Sequence, residues 1–356
     1  MAASMSGEGN AEAEPILAPL PPPGLRPLDR PPTISVVVPA YEAAATIGEA
    51  LESILAQDPP PHEVVVSDDG SGDDLDGALQ PYLQRIALLH SPHGGVAAAR
   101  NAGLRRCSGD FVLFADADDL LLPGKLAALA RLGQLRPELD LLATDMRFER
   151  DGKPAGRFGE VNEFASEDQR RTILERSFLV QPAFRRSRLE AVGGFDESLA
   201  TGEDWDCVLR MIVSGSSAGL YDEPLAVYRI RAGSLTDARP STLSDRVRIM
   251  ERALRDPNLR AAELPALRRS LGVQRRRARI AAAQAAIEAG RPDARQLCLD
   301  LARTPGIPPS LRLWAILLAA TPKRLRSALA RRLATSTSQL SRLLPDAGSG
   351  GGRRYG

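Results

Sequence analysis

The chain has few cysteines and no long apolar run, and each shortage excludes a class of protein. Its three cysteines, Cys107, Cys207 and Cys298, lie far apart among 356 residues. An odd number of widely separated cysteines is not expected to form a disulfide framework, and their spacing is not that of a zinc site. We therefore expect a reducing compartment. The apolar run at 313–320 is too short to span a bilayer. Because we also expect no signal peptide, the sequence predicts a cytoplasmic protein, either free or peripheral on the cytoplasmic face of the membrane.

Two nucleotide-binding signatures are also missing. The first predicted strand ends in Pro39-Ala40-Tyr41, where a dinucleotide-binding protein would carry G-x-G-x-x-G, and the sequence contains no P-loop lysine motif. A glycine cradle for phosphates is therefore not predicted. Any bound phosphates would be held by a metal ion and by arginine.

Charge is distributed unevenly, although the net charge is +1. Residues 241–356 contain 23 Lys and Arg against 8 Asp and Glu, a net +15, whereas residues 1–240 contain 23 against 37, a net −14. Composition divides the chain further, since the first residues are rich in Pro and the last are rich in Gly. We predict four parts: a disordered Pro-rich segment at 1–32, an α/β domain at 33–240, a basic helical extension at 241–345 and a flexible tail at 346–356.

The α/β prediction rests on β-rich runs that alternate with helical patterns, as is typical of a sheet covered by helices. The predicted strands are 34–38, 63–67, 86–89 and 111–114. Polar residues follow three of these strands, and ligands of open α/β sheets bind at the carboxyl ends of the strands. We therefore expect Tyr41, Glu42, Asp68 and Asp69 to lie at the same edge as the carboxylates after the fourth strand.

The strand at 111–114 ends in three carboxylates within four residues, Asp116, Asp118 and Asp119. Carboxylates this close repel one another unless a cation lies among them. Two hard oxygen ligands at a strand end suit Mg²⁺ or Mn²⁺ that shares its other positions with a diphosphate and water. The alternative is an Asp-rich turn or helix cap, which needs no metal.

Four blocks of sequence resemble the family 2 glycosyltransferases, which have the GT-A fold. The blocks lie, in chain order, at 36–42, 66–71, 95–119 and 184–206, and the resemblance extends from about 34 to 236. It implies a Rossmann-like mixed sheet flanked by helices. It also implies an inverting, metal-assisted enzyme that moves a sugar from a nucleotide-diphosphate sugar, with UDP-sugars favoured, to a hydroxyl acceptor. The acceptor would be a cell-surface glycan or a lipid-linked precursor.

The resemblance assigns roles on the donor side of the site. Pro39, Tyr41 and Glu42 would contact the nucleoside, and Asp69 would accept a hydrogen bond from the base. Arg100 would lie near the donor phosphates or orient the neighbouring acidic loops.

It likewise assigns the residues that carry the chemistry. Asp116 would face the ribose or diphosphate and share Mg²⁺ or Mn²⁺ with Asp118, the direct ligand. Asp204, in a helical pattern after Gly202, would be the catalytic base. Glu203 and Asp204 also suit the first turn of a helix on structural grounds alone, because the helix dipole favours acidic residues there.

The sequence departs from the family at one point. Many members end the domain with a Tyr-Arg-x-His pattern, where this chain has Arg231 in place of His. Arginine cannot bind a cation but can pair with a phosphate, so Arg231 is predicted to contact the diphosphate. His62, His90 and His93 lie far upstream and are predicted to be surface or loop residues. The departure leaves open a second interpretation, a non-catalytic relative that binds a nucleotide or a partner.

The basic extension admits three interpretations. Arginine and lysine cluster at 275–279 and 323–326, and an apolar part precedes a basic part at 311–333. This pattern suits peripheral membrane contact through 241–345, a solvated helical bundle, or nucleic-acid binding. Trp314 and Tyr355 are the only aromatic residues after 240, so base stacking is not expected and we predict no nucleic-acid partner.

Overall fold

The computed structural model describes residues 15–230 and 240–321, which form a mixed sheet flanked by helices and a helical C-terminal part. The strands are β1 (Ile16–Leu17), β2 (Ile34–Ala40), β3 (Glu63–Asp68), β4 (Ala87–His90), β5 (Phe111–Phe114), β6 (Leu120–Leu121), β7 (Leu141–Arg150), β8 (Lys153–Arg157), β9 (Ala183–Arg185) and β10 (Ala218–Ile230). The helices are α1 (Ile47–Leu55), α2 (Leu75–Leu79), α3 (Val96–Arg106), α4 (Lys125–Leu135), α5 (Phe158–Val161), α6 (Gln169–Glu175), α7 (Arg186–Ala191), α8 (Glu203–Val213), α9 (Pro240–Ala253), α10 (Leu264–Glu288), α11 (Ala294–Ala302) and α12 (Pro309–Ala320). Short 3₁₀ turns lie at Gln80–Tyr82 and Ala261–Glu263.

The sheet has the order β1-β10-β7-β9-β5-β2-β3-β4, with β6 paired to β10 and β8 paired to β7. Strands β4, β3, β2 and β5 are parallel neighbours, β9 is antiparallel to both β5 and β7, and β10 is parallel to β7. The carboxyl ends of the four parallel strands therefore meet at one edge. The predicted fold class is confirmed.

Successive side chains of β2 point to opposite faces of the sheet, and each face carries its own part of the hydrophobic core. Val36 and Val38 pack on one face with residues of α1 and α4, while Val37 packs on the other with residues of α3 and α8. Burial on both faces explains why the strand is almost continuously apolar. Gly103 of α3 lies so close to the sheet that a Cβ there would be 2.3 Å from Val37 Cγ1. A side chain at this position would push α3 away from β2.

The N-terminal segment differs from its prediction. Within the segment predicted to be disordered, Ile16 and Leu17 form β1 and pair antiparallel with Tyr221 and Leu220 of β10. The Leu28 amide also donates a hydrogen bond to the carbonyl of Gln134 (2.8 Å). Residues 15–32 are therefore attached to the domain, and residues 1–14 lie outside the described part.

The helical extension shares the core of the domain. Ile249, Met250 and Ala253 of α9 and Leu267 and Leu271 of α10 are buried in the cluster that also contains Val37. The end of α10 instead forms a smaller cluster with α11 and α12. No helix among the described residues is both long enough and apolar enough to cross a membrane.

Candidate active site

The predicted nucleoside-side residues lie together at the carboxyl ends of β2 and β3. Tyr41 directly follows β2, is 50% exposed, and stacks on His93 with the ring centroids 4.3 Å apart. The buried Asp69 carboxylate accepts hydrogen bonds from the backbone amides of Gly94 (2.7 Å) and Gly95 (2.9 Å) and lies 2.9 Å from His93 Nδ1. These contacts connect the edge of the sheet to the beginning of α3.

The loops after β2 and β3 also hold each other. The Glu42 amide donates to Ser71 Oγ (3.0 Å), and Glu42 Oε1 accepts from the Gly72 amide (2.7 Å). Pro39 is buried within β2, beneath these loops. A carboxylate has about four acceptor positions, so Asp69 can accept a further hydrogen bond. Its contact with a base stays a prediction.

Arg100 of α3 connects two acidic segments that are far apart in sequence. Its Nη2 donates to Asp116 Oδ1 (3.0 Å), and its Nη1 donates to Glu203 Oε1 (2.5 Å). Its guanidinium lies 5.5 Å from the centre of the Phe195 ring. Although burial disfavours its charge, the pKa of Arg100 is raised by Asp116 and Glu203. Arg100 thus connects the loop after β5 to the start of α8, and its roles near the donor phosphates or in orienting the acidic loops stay predictions.

Negative charge is concentrated in the loop after β5. The Asp116 side chain is 39% exposed and Asp118 is half-buried, so both are accessible from the surface. Asp119 is buried beneath them, and its pKa is raised well above the ordinary value by burial and by the charges of Asp116 and Asp118. The Arg229 amide donates to Asp119 Oδ1 (3.3 Å). The loop therefore contains mutually repelling carboxylates, as its sequence predicted.

These residues fit Mg²⁺ or Mn²⁺. Asp116 and Asp118 supply hard oxygen donors, and a divalent cation would relieve the repulsion that raises the pKa of Asp119. Within the described ranges no group of three or more His, Cys, Asp or Glu is arranged to hold a metal. An ion bound by Asp116 and Asp118 would therefore depend on a diphosphate and water for its remaining ligands.

A buried lysine lies behind the acidic loop. Lys125 is 1% exposed, and its Nζ donates to Gln181 Oε1 (2.9 Å). Burial lowers the pKa of Lys125 to about 7, and the charge of Asp119 counteracts this effect. Sequence patterns did not single out Lys125, because a lysine in the first turn of a helix ordinarily faces water.

Lys125 predicts a pH-dependent stability. Between about pH 7 and the ordinary lysine pKa of 10.5, the unfolded chain keeps a proton that the folded chain has lost, so stability should rise with pH in this window. The gain is at most about 1.4 kcal/mol per pH unit. The free energy of unfolding of Lys125→Met, measured in urea, should lack this rise, whereas the exposed control Lys153→Met should retain it. Parallel wild-type and Lys125→Met profiles would contradict the prediction.

The predicted catalytic base lies at the start of α8. Asp204 is exposed, and its Oδ1 accepts from the Trp205 amide (2.7 Å). Trp205 is buried and donates through Nε1 to the Ile173 carbonyl (3.0 Å), which fixes the first turn of α8 against α6. Burial and the charge of Asp204 raise the pKa of Glu203, while Arg100 counteracts them. Of this acidic pair, Glu203 is committed to Arg100 and Asp204 is accessible.

Most of the predicted site residues lie at the carboxyl ends of β2, β3 and β5 or in α3 and α8, and the structure adds two that the sequence analysis did not assign. His93 is an exposed loop residue, in agreement with its prediction as a surface or loop residue, and its ring also contacts Tyr41 and Asp69. Glu203 pairs with Arg100 across 103 positions of the chain. The position of His93 directly before Gly94-Gly95 could have identified it from the sequence. For Glu203, the only sequence feature was that it precedes the predicted base, Asp204. Arg231 lies outside the described residues, so its contact with a diphosphate stays a prediction.

Comparisons of the sequence with known proteins identify relatives of the domain. Residues 35–157 match the family model described as Glycosyl transferase family 2. The chain is 35% identical over 228 residues to the O-antigen biosynthesis protein RfbC of Myxococcus xanthus, an alignment that covers 59% of this chain and 17% of that protein. The first curated relatives that the chain matches are covered over 17% to 64% of their own length.

Solved structures of similar fold carry nucleotide sugars. S. aureus TarS 1-349 in complex with UDP-GlcNAc aligns with a TM-score of 0.61 and 22% identity over 87% of this chain and 92% of that one. The mannosyltransferase PcManGT from Pyrobaculum calidifontis, in complex with GDP-Man and Mn²⁺, aligns with a TM-score of 0.52 and 24% identity over 87% of this chain and 88% of that one. These likenesses show the GT-A fold. With the family match at residues 35–157, they bear out the resemblance of this part of the chain to the family 2 glycosyltransferases.

Proposed function

We propose that this protein is an inverting, metal-assisted glycosyltransferase that moves a sugar from a nucleotide-diphosphate sugar to a hydroxyl acceptor. The observation that carries the proposal is the double contact of Arg100, which binds Asp116 at 3.0 Å and Glu203 at 2.5 Å. It holds the acidic loop, proposed for the leaving group, next to the start of the helix that carries the accessible Asp204. An acid-rich turn with a structural role alone would not need this connection to a second acidic segment.

Donor binding is assigned to the edge formed by β2 and β3. Tyr41 offers an exposed ring supported by His93, and Asp69 offers acceptor oxygens beside the amides of Gly94 and Gly95. An aromatic face and a fixed carboxylate suit the stacking and the N–H donor of a pyrimidine or purine base. A UDP-sugar is favoured, in keeping with the UDP-GlcNAc bound to TarS, whose fold the chain shares.

Transfer leaves negative charge on the departing nucleoside diphosphate. Asp116 and Asp118 would hold Mg²⁺ or Mn²⁺, which when bound supplies Lewis-acid stabilisation of that charge. PcManGT, of the same fold, was solved with Mn²⁺. Arg100 keeps one oxygen of Asp116 in place, so the loop stays positioned for the diphosphate.

Asp204 would take the proton of the acceptor hydroxyl. General-base catalysis needs an accessible acceptor within hydrogen-bond reach of that hydroxyl, and Asp204 is the exposed member of the acidic pair. Attack on the anomeric carbon from the side opposite the diphosphate inverts its configuration in one displacement, as in inverting glycosidases. The second carboxylate, Glu203, would then be a positioning residue that acts through Arg100.

We propose the acceptor as a chemical class and not as a single compound. A cell-surface glycan or a lipid-linked precursor agrees with the name of RfbC, an O-antigen biosynthesis protein of which the chain covers 17%. Peripheral membrane contact through 241–345 stays a prediction, and the basic cluster at 323–326 lies outside the described residues. The burial of α9 and part of α10 in the domain core gives part of the extension a structural role instead.

A screen of nucleotide sugars tests the proposed function. Purified full-length protein should release nucleoside diphosphate from one class of donor, UDP-sugars first, and the rate should fall to background when EDTA replaces Mn²⁺. Nucleotide binding with no turnover on any donor, across a panel of glycan and lipid-linked acceptors, would favour the non-catalytic alternative. Full turnover in EDTA would remove the metal from the proposal.

A further inference from the structure

Helix α12 presents a row of apolar side chains to solvent. Leu313 is 59% exposed, Ile316 47% and Leu317 51%, whereas Ala315 and Ala319 are buried in the cluster with α11 and the end of α10. Residues three and four apart lie on the same side of a helix, so the three exposed side chains form one patch. No other helix in the described ranges has an exposed large apolar side chain.

The sequence around this patch carries charge of one sign. Residues 301–345 contain eight Lys and Arg and no Asp or Glu. One of the eight, Arg312, is exposed on α12 four residues before Ile316, so it flanks the patch. The basic cluster at 323–326 follows α12 in the sequence and lies outside the described residues. The exposed apolar patch therefore belongs to a part of the chain that is basic throughout.

An apolar helix face within a basic stretch is typical of a helix that lies in a membrane interface. Its apolar side chains enter the boundary between headgroups and acyl chains. Each Lys or Arg near an anionic surface raises the affinity about 5-fold. A second copy of the chain fits this patch less well, because a symmetric dimer would bring the same basic stretch of both copies together. Charge thus favours an anionic lipid surface over self-association.

We propose that α12 docks the protein on an anionic lipid bilayer, with Leu313, Ile316 and Leu317 inserted among the lipids and the basic residues around them on the headgroups. This narrows the predicted membrane contact through 241–345 to one helix. Helix α9 and the start of α10 do not take part, because their apolar residues are buried in the domain core. The proposal goes beyond the proposed function and does not depend on it, since no residue of the candidate active site is involved.

Co-sedimentation of the full-length protein with lipid vesicles tests the docking. The wild type should bind vesicles of equal parts phosphatidylserine and phosphatidylcholine, bind phosphatidylcholine alone more weakly, and dissociate partly as salt is added. Leu313→Gln/Ile316→Gln/Leu317→Gln keeps good helix formers and should lower the affinity for the mixed vesicles about 10-fold or more, because the apolar surface that enters the lipid is lost. The control Leu20→Gln/Leu83→Gln, which removes two exposed leucines outside α12, should bind like the wild type.

Tryptophan fluorescence reports whether α12 itself enters the bilayer. The sequence has two tryptophans, of which Trp205 is buried in the core and Trp314 is half-buried on α12. Vesicles of phosphatidylserine and phosphatidylcholine with brominated acyl chains should quench part of the emission of the wild type, and Trp314→Phe should abolish the quenching. Unfolding of the triple glutamine variant in urea should match that of the wild type, because the replaced side chains are exposed, and this separates lost docking from lost folding.

Four results would overturn the proposal. A wild type that does not sediment with the mixed vesicles has no such docking surface. Equal affinity in the triple glutamine variant would leave the basic residues alone as the contact, and unquenched emission from the bound wild type would place α12 outside the bilayer. Dimerisation of the wild type in sedimentation velocity without lipid, lost in the triple variant, would make the patch an interface between copies. None of these measurements reads transfer, so failure of the proposed function would be seen separately.

Discussion

Replacing Asp204 with asparagine should lower the rate of sugar transfer by about 10²–10⁴-fold, the usual contribution of a general base. Asparagine keeps the shape of the side chain and can still accept from the Trp205 amide through its carbonyl oxygen, so α8 should form normally. Donor affinity should stay close to that of the wild type, because Asp204 is proposed to act on the acceptor. Initial rates of nucleoside diphosphate release and donor titrations with the same protein preparation measure both quantities.

A matched control separates this chemical effect from a general loss of charge. Asp151, exposed in the turn between β7 and β8, has a positive φ of 51°, which asparagine also tolerates, so Asp151→Asn should be as active as the wild type. Glu203→Gln should behave differently from Asp204→Asn, since it weakens the hold of Arg100 and should impair stability as well as rate. If Asp204→Asn instead loses donor binding and keeps most of its turnover, Asp204 is a structural residue of the helix start.

The sheet and the acidic edge of the site were predictable because each depends on local sequence. Runs such as the valines of β2 can be buried on both faces only in a covered sheet, and the carboxyl ends of parallel strands meet wherever such a sheet forms. Asp69 and Asp116 could therefore be placed at the same edge without coordinates. The resemblance added their roles, which periodicity alone does not supply.

Side-chain partners distant in sequence were not predictable in this way. Thr46 and Glu49 fit the pattern of a capping box, yet Thr46 makes no cap bond to α1 and Glu49 pairs with Arg229 of β10 at 2.6 Å. Glu49 therefore pairs with Arg229, which only the tertiary structure brings near, and the capping box does not form. The hydrogen bond from the Ala200 amide to Asp245 of α9 is of the same kind, since a basic composition predicts a helix but not which neighbour it packs against.

The second large effect is expected at Asp118. Asp118→Ala should reduce transfer by about 10²–10³-fold or more, the scale seen when one electrostatic stabiliser of a transition state is removed. Nucleotide affinity should also lose its dependence on Mn²⁺, because the proposed direct ligand is absent. Titrations of UDP with Mn²⁺ and with EDTA should differ for the wild type and coincide for the variant.

Asp116→Ala provides the comparison that makes this result specific. Asp116 is a proposed ligand and also a partner of Arg100, so its removal should lower the free energy of unfolding as well as the metal dependence. Asp118→Ala should leave Arg100 bound to both Asp116 and Glu203, and its unfolding in urea should stay nearer to that of the wild type. If Asp118→Ala keeps Mn²⁺-dependent binding while Asp116→Ala loses it, the direct ligand is Asp116. If both variants keep it, the acidic loop is a turn stabilised by Arg100, and the charge of the leaving diphosphate must be met by arginine instead.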